Sequence, residues 1–89
     1  MKGIITVIGK DKVGIIAKVC VFLSGGGVNI LDISQTIVQG YFNMMMIVDF
    51  ERSTLKFEDA AENLEALGEE IGVKIQLQHE DIFNSMHRI

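Results

Sequence analysis

Several residue types are scarce in this chain, and each scarcity removes a class of function. Cys20 is the single cysteine in 89 residues, so neither an internal disulfide nor a cysteine-rich metal site is available. Its sequence neighbours Val19, Val21 and Phe22 are apolar, so we interpret Cys20 as a buried core residue and not as a reactive thiol. Proline is absent and glycine occurs nine times, which favours regular elements joined by glycine turns.

Clustered basic residues and long apolar runs are missing as well. The net charge is −4, and nucleic-acid backbones are bound by clustered lysine and arginine, so we expect no nucleic-acid partner. No stretch approaches the roughly 18 apolar residues of a membrane span. The first residues, Met1 to Thr6, lack the apolar run of a signal peptide. We therefore expect no membrane association and a cytoplasmic location.

The hydrophobic pattern predicts one α+β domain. The predicted elements are a strand at 2–8, a helix at 15–23, strands at 28–39 and 41–50, a helix at 55–72 and a strand at 73–78. Right-handed crossovers would place both helices on one face of a four-stranded antiparallel sheet of order 4-1-3-2. This is the ferredoxin-like βαββαβ sandwich. Ser53 or Thr54 can cap the start of the second helix, and Gly72 its end.

The last ten residues form a separate short segment. Ile82, Phe83, Met86 and Ile89 recur at helical spacing, which predicts a short C-terminal amphipathic helix. The predicted organisation is therefore one domain over residues 1–79 and a helix over residues 80–89.

An excess of apolar residues falls on the sheet face away from the two helices. The predicted strands would place several of Ile5, Leu31, Ile33, Met45 and Ile47 there. An exposed apolar patch of this kind usually marks an interface. We therefore expect a homodimer, arranged edge to edge or face to face, and the C-terminal helix could cover part of its own sheet or of a partner. A monomer with loosely covered apolar residues is the alternative.

Three known activities of ferredoxin-like folds each need residues that this chain lacks. A metal chaperone needs two cysteines in the first strand–helix turn, an acylphosphatase needs an arginine there, and an RNA-recognition domain needs aromatic residues on the central strands. The turn reads Gly-Lys-Asp-Lys-Val-Gly, and the arginines are Arg52 and Arg88. His79 and His87 have no carboxylate or cysteine at metal-binding spacing. We expect no enzyme, no catalytic residue, no metal and no cofactor.

Three segments together resemble the ACT domain family. They are Ile-Thr-Val-Ile-Gly-Lys-Asp-Lys-Val-Gly-Ile-Ile-Ala (5–17), Gly-Val-Asn-Ile (27–30) and Asp-Ile-Ser-Gln-Thr (32–36). The resemblance runs through residues 1–79 and is strongest to small stand-alone ACT proteins related to the glycine-cleavage repressor and to the N-terminal part of formyltetrahydrofolate deformylase. Many relatives carry a proline before the glycine where this chain has Val13. The resemblance implies a non-catalytic, homodimeric regulatory domain that senses an amino acid or a related metabolite.

The resemblance also implies which residues contact the ligand, because ACT ligands commonly lie between two domains. One domain would contribute Gly9, Asp11, Val13, Gly14 and Ile15, and the other Asn29 and Ile30. The chemistry is suitable, because the amides at a helix N-terminus can hold a carboxylate and an asparagine side chain both donates and accepts. Each residue also has a simpler explanation: Asp11 as a helix cap, Gly14 as a turn residue and Asn29 as a turn closure.

A second function stays open beside ligand sensing. A sensor alone has no effector to switch, so the chain could instead be a ligand-independent interaction module that regulates a partner enzyme or transcription regulator. A binding partner of that kind would use the sheet edge or the C-terminal helix.

Overall fold

The computed structural model describes residues 1–10 and 13–80, which form a four-stranded antiparallel sheet and two helices. The elements are β1 (Lys2–Lys10), α1 (Ile15–Gly25), β2 (Asn29–Val38), β3 (Tyr41–Asp49), α2 (Phe57–Ile71) and β4 (Val73–His79). The strand order is β2-β3-β1-β4, with every neighbouring pair antiparallel. This confirms the predicted α+β ferredoxin-like sandwich and its edge strands. Most of the C-terminal helix predicted over residues 80–89 lies outside the described residues.

The core lies between the sheet and the two helices. Along strand β3, every second residue points to the helix face and is buried, whereas the residues between them point to the other face and are not buried. Helices α1 and α2 cover that face with fully buried residues such as Val19 and Leu64. Burying one large apolar side chain contributes about 1.5–3 kcal/mol. The largest fully buried side chains are Ile5, Leu23, Met44, Met46, Leu64, Val7, Val19 and Val48.

Two residues predicted on the face away from the helices lie on the helix face instead. Ile5 and Ile33 both pair with Met46, one from each side, and cross-strand partners point to the same face. Met46 is fully buried in the core, so the prediction for Ile5 and Ile33 is wrong. Met45 and Ile47 alternate with buried residues of β3 and lie on the opposite face, as expected.

A β-bulge at Leu31 changes which way the start of β2 faces. The register shifts between Ile30 and Asp32, so that Asn29 pairs with Asp49. Asp49 follows the buried Val48 along β3 and therefore lies on the face away from the helices. The alternation predicted for β2 placed Asn29 on the same face as Ile33, and the bulge places the two on opposite faces.

The glycine turns at Gly40 and Gly72 agree with the sequence. The β2–β3 hairpin turns through Gln39 (φ 52°) and Gly40 (φ 80°), a two-residue turn with positive φ at both positions. Gly72 ends α2 in the left-handed conformation (φ 79°), and its N–H donates to the Gly68 carbonyl. This is the C-terminal cap that the sequence predicted.

The predicted N-terminal cap of α2 is wrong. The helix begins at Phe57 after Lys56, and this end has no side-chain capping hydrogen bond. The hydroxyl groups of Ser53 and Thr54 donate instead to the carbonyl of Gly26, at 3.1 and 3.3 Å. The two hydroxyl groups that the local sequence pattern assigned to the helix end therefore bond to Gly26, which is distant in sequence.

Strand β2 is an unprotected edge of the sheet. Nine of its ten residues are exposed, and Ile33 and Ile37 are 44% and 51% exposed although they point to the helix face. Asp32 is the one charged residue of the strand. The strand contains no lysine and no proline, the residues that discourage pairing at sheet edges. Over the described ranges, no helix is long and apolar enough to cross a membrane.

Candidate functional site

The turn between β1 and α1 exposes the N-terminus of a helix. Gly14 is the N-cap residue and adopts the left-handed conformation (φ 91°), which explains a glycine at this position. Its carbonyl accepts the Lys18 N–H at 3.0 Å. Among the described residues, no side chain forms a capping hydrogen bond at this end, and the first turn contains no acidic residue. Such an end can hold an anionic group. Asp11 lies outside the described residues.

The other residues predicted in this turn differ in what they can offer a ligand. A Cβ on Gly9 would lie 2.7 Å from the Val73 side chain, so close packing against β4 already accounts for this glycine. Ile15 is 2% exposed and belongs to the core, so its side chain is not free to bind. Val13 is fully exposed. The turn therefore presents Val13 and the backbone around Gly14.

The second half of the predicted site lines a cleft at the start of β2. Asn29 is exposed and Ile30 is half-buried, where it packs against the core. The cleft measures about 780 Å³. Its lining residues come from α1, from the start of β2 and from the end of β3 and the turn after it: Cys20, Ser24, Gly27, Val28, Asn29, Ile30, Asp49, Glu51 and Arg52.

The two halves lie at opposite ends of the sheet within one chain. Asn29 pairs with Asp49, which pairs in turn with Lys2 at the start of β1. The β1–α1 turn follows Lys10 at the other end of that nine-residue strand. At about 3.3 Å per residue, the halves are roughly 25 to 30 Å apart along the strands. One chain by itself does not bring the predicted ligand-binding residues together.

The loop after β3 fixes the segment that leads to Asn29. The Gly26 carbonyl accepts the Thr54 N–H at 2.9 Å, in addition to the two hydroxyl groups described above. A Cβ on Gly26 would lie 2.5 Å from a methyl carbon of Leu55, so the loop packs directly on this backbone. Three donors on one carbonyl hold the start of β2 against the loop that carries the charged residues of the cleft.

Three charged residues of the cleft were missed by the sequence reasoning. One oxygen of the Asp49 carboxylate accepts the Glu51 N–H at 3.0 Å and lies 3.7 Å from the α-ammonium nitrogen of Met1. Glu51 and Arg52 are exposed, and neither forms an ion pair within the described part of the chain. The sequence signal that could have identified Glu51 and Arg52 is their pair of opposite charges directly after the third predicted strand. Their position beside Asn29 depends on the bulge.

The cleft is lined by exposed and half-buried polar and charged residues that can contact a ligand. Within residues 1–10 and 13–80, no polar or charged side chain is buried, and no three His, Cys, Asp or Glu residues are placed to hold a metal ion. His79 stacks on Phe57 with a ring-centroid distance of 4.0 Å, which is a packing role between β4 and α2.

Proteins of nearly the same length are similar to this chain in sequence or in fold. A UPF0237 protein of Bifidobacterium longum is 60% identical over 88 residues, covering 99% of this chain and 98% of its own. The structure of an ACT domain protein from Streptococcus pneumoniae matches with a TM-score of 0.82 and 44% identity, covering 93% of both chains.

Two larger proteins share the fold at 22% identity. They are a formyltetrahydrofolate deformylase from Pseudomonas syringae (TM-score 0.79, 88% of this chain and 27% of that chain) and a putative glycine cleavage system transcriptional repressor (TM-score 0.74, 86% and 44%). These two matches concern the fold alone. The model of the ACT domain matches residues 3–78. The chain therefore belongs to the ACT domain family, as its sequence motifs predicted.

Proposed function

We propose that this protein is a non-catalytic regulatory domain that senses an amino acid or a related small metabolite as a homodimer. One observation carries the proposal: the β1–α1 turn and Asn29 lie at opposite ends of one sheet. A second chain can supply the half that is missing at each end. Family membership supports the regulatory role, and the cytoplasm is the compartment we propose for it.

Pairing of two β2 edges gives the required geometry. If two copies pair antiparallel through this strand, the start of β2 in one lies at the same end of the joined sheet as the β1–α1 turn of the other. A register that sets Ile33 opposite the partner's Ile37 places the two copies of Gln35 opposite each other. All these residues are exposed in the single chain and would be covered in the dimer. Exposed apolar residues along a strand edge favour such pairing.

Ligand binding is tested by a thermal-shift screen of the purified protein against amino acids, folates and common metabolites. A ligand at 100 times its Kd adds about 2.7 kcal/mol of stability, which raises Tm by about 10–20 °C in a domain of this size. Asn29→Ala should abolish the shift, as should Asp11→Ala if that carboxylate contacts the ligand. A full panel that leaves Tm unchanged contradicts the sensor function.

The edge-to-edge dimer is tested by light scattering of Gln35→Lys. Two lysines opposite each other at about 5 Å repel by roughly 1–3 kcal/mol, depending on the local dielectric, so the dimer Kd should rise about 5- to 150-fold. Mixing this variant with Gln35→Glu should restore a dimer. Gln76→Lys, on the exposed face of the other edge strand, is the matched control and should leave the mass unchanged. An unaltered Kd in Gln35→Lys would place the interface elsewhere.

A ligand-independent interaction module is the second candidate function. The same unprotected edge favours it, because another protein can add a strand to β2 and so complete the sheet. This function is indicated if no ligand stabilises the protein and a partner enzyme or transcription regulator, once identified, loses binding to Gln35→Lys but not to Gln76→Lys.

A further inference from the structure

We infer that the cleft beside Asn29 selects an amino acid without net charge and rejects acidic ones, with Arg52 contacting the carboxylate and Glu51 the ammonium. The inference rests on the proposed function and adds to it the residues that read the two charged ends of the ligand.

The charges lining the cleft are of mixed sign. Arg52 contributes one positive charge, and Asp49 and Glu51 contribute two negative charges. All three belong to one short segment at the end of β3, beside the amide side chain of Asn29. A guanidinium binds a carboxylate in bidentate fashion, and a carboxylate accepts from an ammonium. The lining therefore complements both ends of a zwitterion.

The acidic side of the cleft already lies next to an ammonium group. The α-amino group of Met1 is 3.7 Å from Asp49, whose side chain is 23% exposed. Because that amino group offsets the charge of Asp49, the carboxylate of Glu51 is the one left for a ligand. Glu51 forms no ion pair with a described residue, so a ligand ammonium would displace no partner within residues 1–10 and 13–80.

The basic side is fixed in position by backbone packing. A Cβ on Gly27 would lie 3.0 Å from the Arg52 carbonyl oxygen, and the Ser53 N–H donates to the Phe50 carbonyl at 3.1 Å, closing the turn that carries Arg52. The Arg52 side chain has no carboxylate within 4 Å among the described residues. Its backbone is therefore held, and no described carboxylate pairs with its guanidinium.

An acidic amino acid would bring a second carboxylate into this lining. Arg52 can neutralise one carboxylate, and the other would face Glu51, whose charge no described residue offsets. Like charges at about 5 Å, at a partly exposed site, weaken binding about tenfold or more. A comparison of glutamate with glutamine separates the effect of charge on binding from the effect of size, because the two amino acids have nearly the same shape.

The test is an NMR titration of the uniformly ¹⁵N-labelled full chain with each neutral amino acid, with aspartate and with glutamate. At least one neutral amino acid should shift the amide signals of Asn29, Glu51 and Arg52. Its N-acetylated form, which lacks the ammonium, should bind at least tenfold more weakly. Aspartate and glutamate should bind at least tenfold more weakly than that amino acid. An acidic amino acid that shifts these signals at equal concentration overturns the inference.

Two variants with matched controls test whether Arg52 contacts the ligand carboxylate and Glu51 the ligand ammonium. Arg52→Gln should weaken binding at least tenfold, whereas Lys74→Gln, which removes a charge from the exposed side of β4, should not. Glu51→Gln should reduce the ratio of the glutamate Kd to the glutamine Kd at least threefold, and Glu69→Gln should leave that ratio unchanged. A ligand that shifts only signals of the β1–α1 turn, or that binds Arg52→Gln normally, overturns this inference and leaves the proposed sensor standing. A protein that binds no amino acid at all overturns both.

Discussion

Gly68 lies where helix α2 crosses strand β4, and replacing it with alanine tests how closely the two elements approach. A Cβ at this position would lie 2.7 Å from the Val73 carbonyl oxygen, and 3.1 Å from both the amide nitrogen and the Cγ1 of Ile75. Two of these three atoms are backbone and cannot rotate away. The helix and the strand would therefore have to separate by several tenths of an ångström.

The size of the effect follows from two opposing contributions. Alanine favours the helix over glycine by about 0.8–1.0 kcal/mol, whereas forcing extra volume into a packed contact costs about 1–3 kcal/mol. Because two of the three contacting atoms belong to the backbone, we expect a packing cost in the upper half of that range, about 2–3 kcal/mol. Gly68→Ala should then lower the free energy of unfolding by about 1–2 kcal/mol, and Tm by about 5–15 °C.

The matched control is Gly25→Ala. Gly25 is the last residue of α1, and a Cβ there would meet no atom within 4 Å, so this variant should be neutral or up to about 1 kcal/mol more stable. Both free energies come from urea unfolding at one fixed protein concentration, since association alters apparent stability. If Gly68→Ala is as stable as Gly25→Ala, the close approach of α2 to β4 is refuted.

Three further substitutions probe the core, the loop beside the cleft and the end of α2, all by urea unfolding. Leu64→Ala, at a fully buried position, should cost about 2–5 kcal/mol, while Val21→Ala, at a position 71% exposed, should stay within about 0.5 kcal/mol; equal losses would contradict the assigned core. Ser53→Ala removes the hydroxyl that donates to Gly26 and accepts from the Leu55 N–H and should cost about 0.5–1.5 kcal/mol, with no loss if those contacts are absent. Gly72→Ala places a side chain at φ 79° and should cost about 1–2 kcal/mol.

The order of elements could be predicted because periodicity in this chain is strong and local. In β4 the alternation of apolar and polar residues matches the burial pattern of the strand, and Gly40 and Gly72 mark the turns where positive φ is needed. Crossover rules then leave few sheet orders. These features depend on neighbours in sequence, which is why they were predicted correctly.

The orientation of β2 could not be predicted, because it depends on one inserted residue. Regular alternation places Asn29 on the same face as Ile33. The bulge at Leu31 moves it beside Asp49, and no residue near Leu31 has a pattern that marks a bulge. The acidic side of the cleft was therefore not visible in the sequence, although Asn29 itself was.

The loop after β3 shows a second limit of the same kind. Ser53 and Thr54 are residues that commonly cap helices, and α2 begins shortly after them. Their hydroxyl groups hydrogen-bond instead to the carbonyl of Gly26, which lies far away in sequence and close in space. A local pattern identifies a residue with capping ability, but tertiary packing decides which group it binds.

Under the proposed function, the separation of the two half-sites makes ligand binding and dimerisation thermodynamically linked. A site built from the Gly14 turn of one chain and Asn29 of another exists only in the dimer, so ligand that occupies it stabilises the dimer by mass action. The linkage is reciprocal: any change that weakens the β2 edge must lower apparent ligand affinity at low protein concentration. Gln35→Lys touches no residue assigned to the ligand, so a loss of affinity that disappears at high protein concentration would come from the edge and not from the cleft. Such a sensor would report its ligand as a change in the population of paired chains, which gives a small domain a means of signalling to a partner.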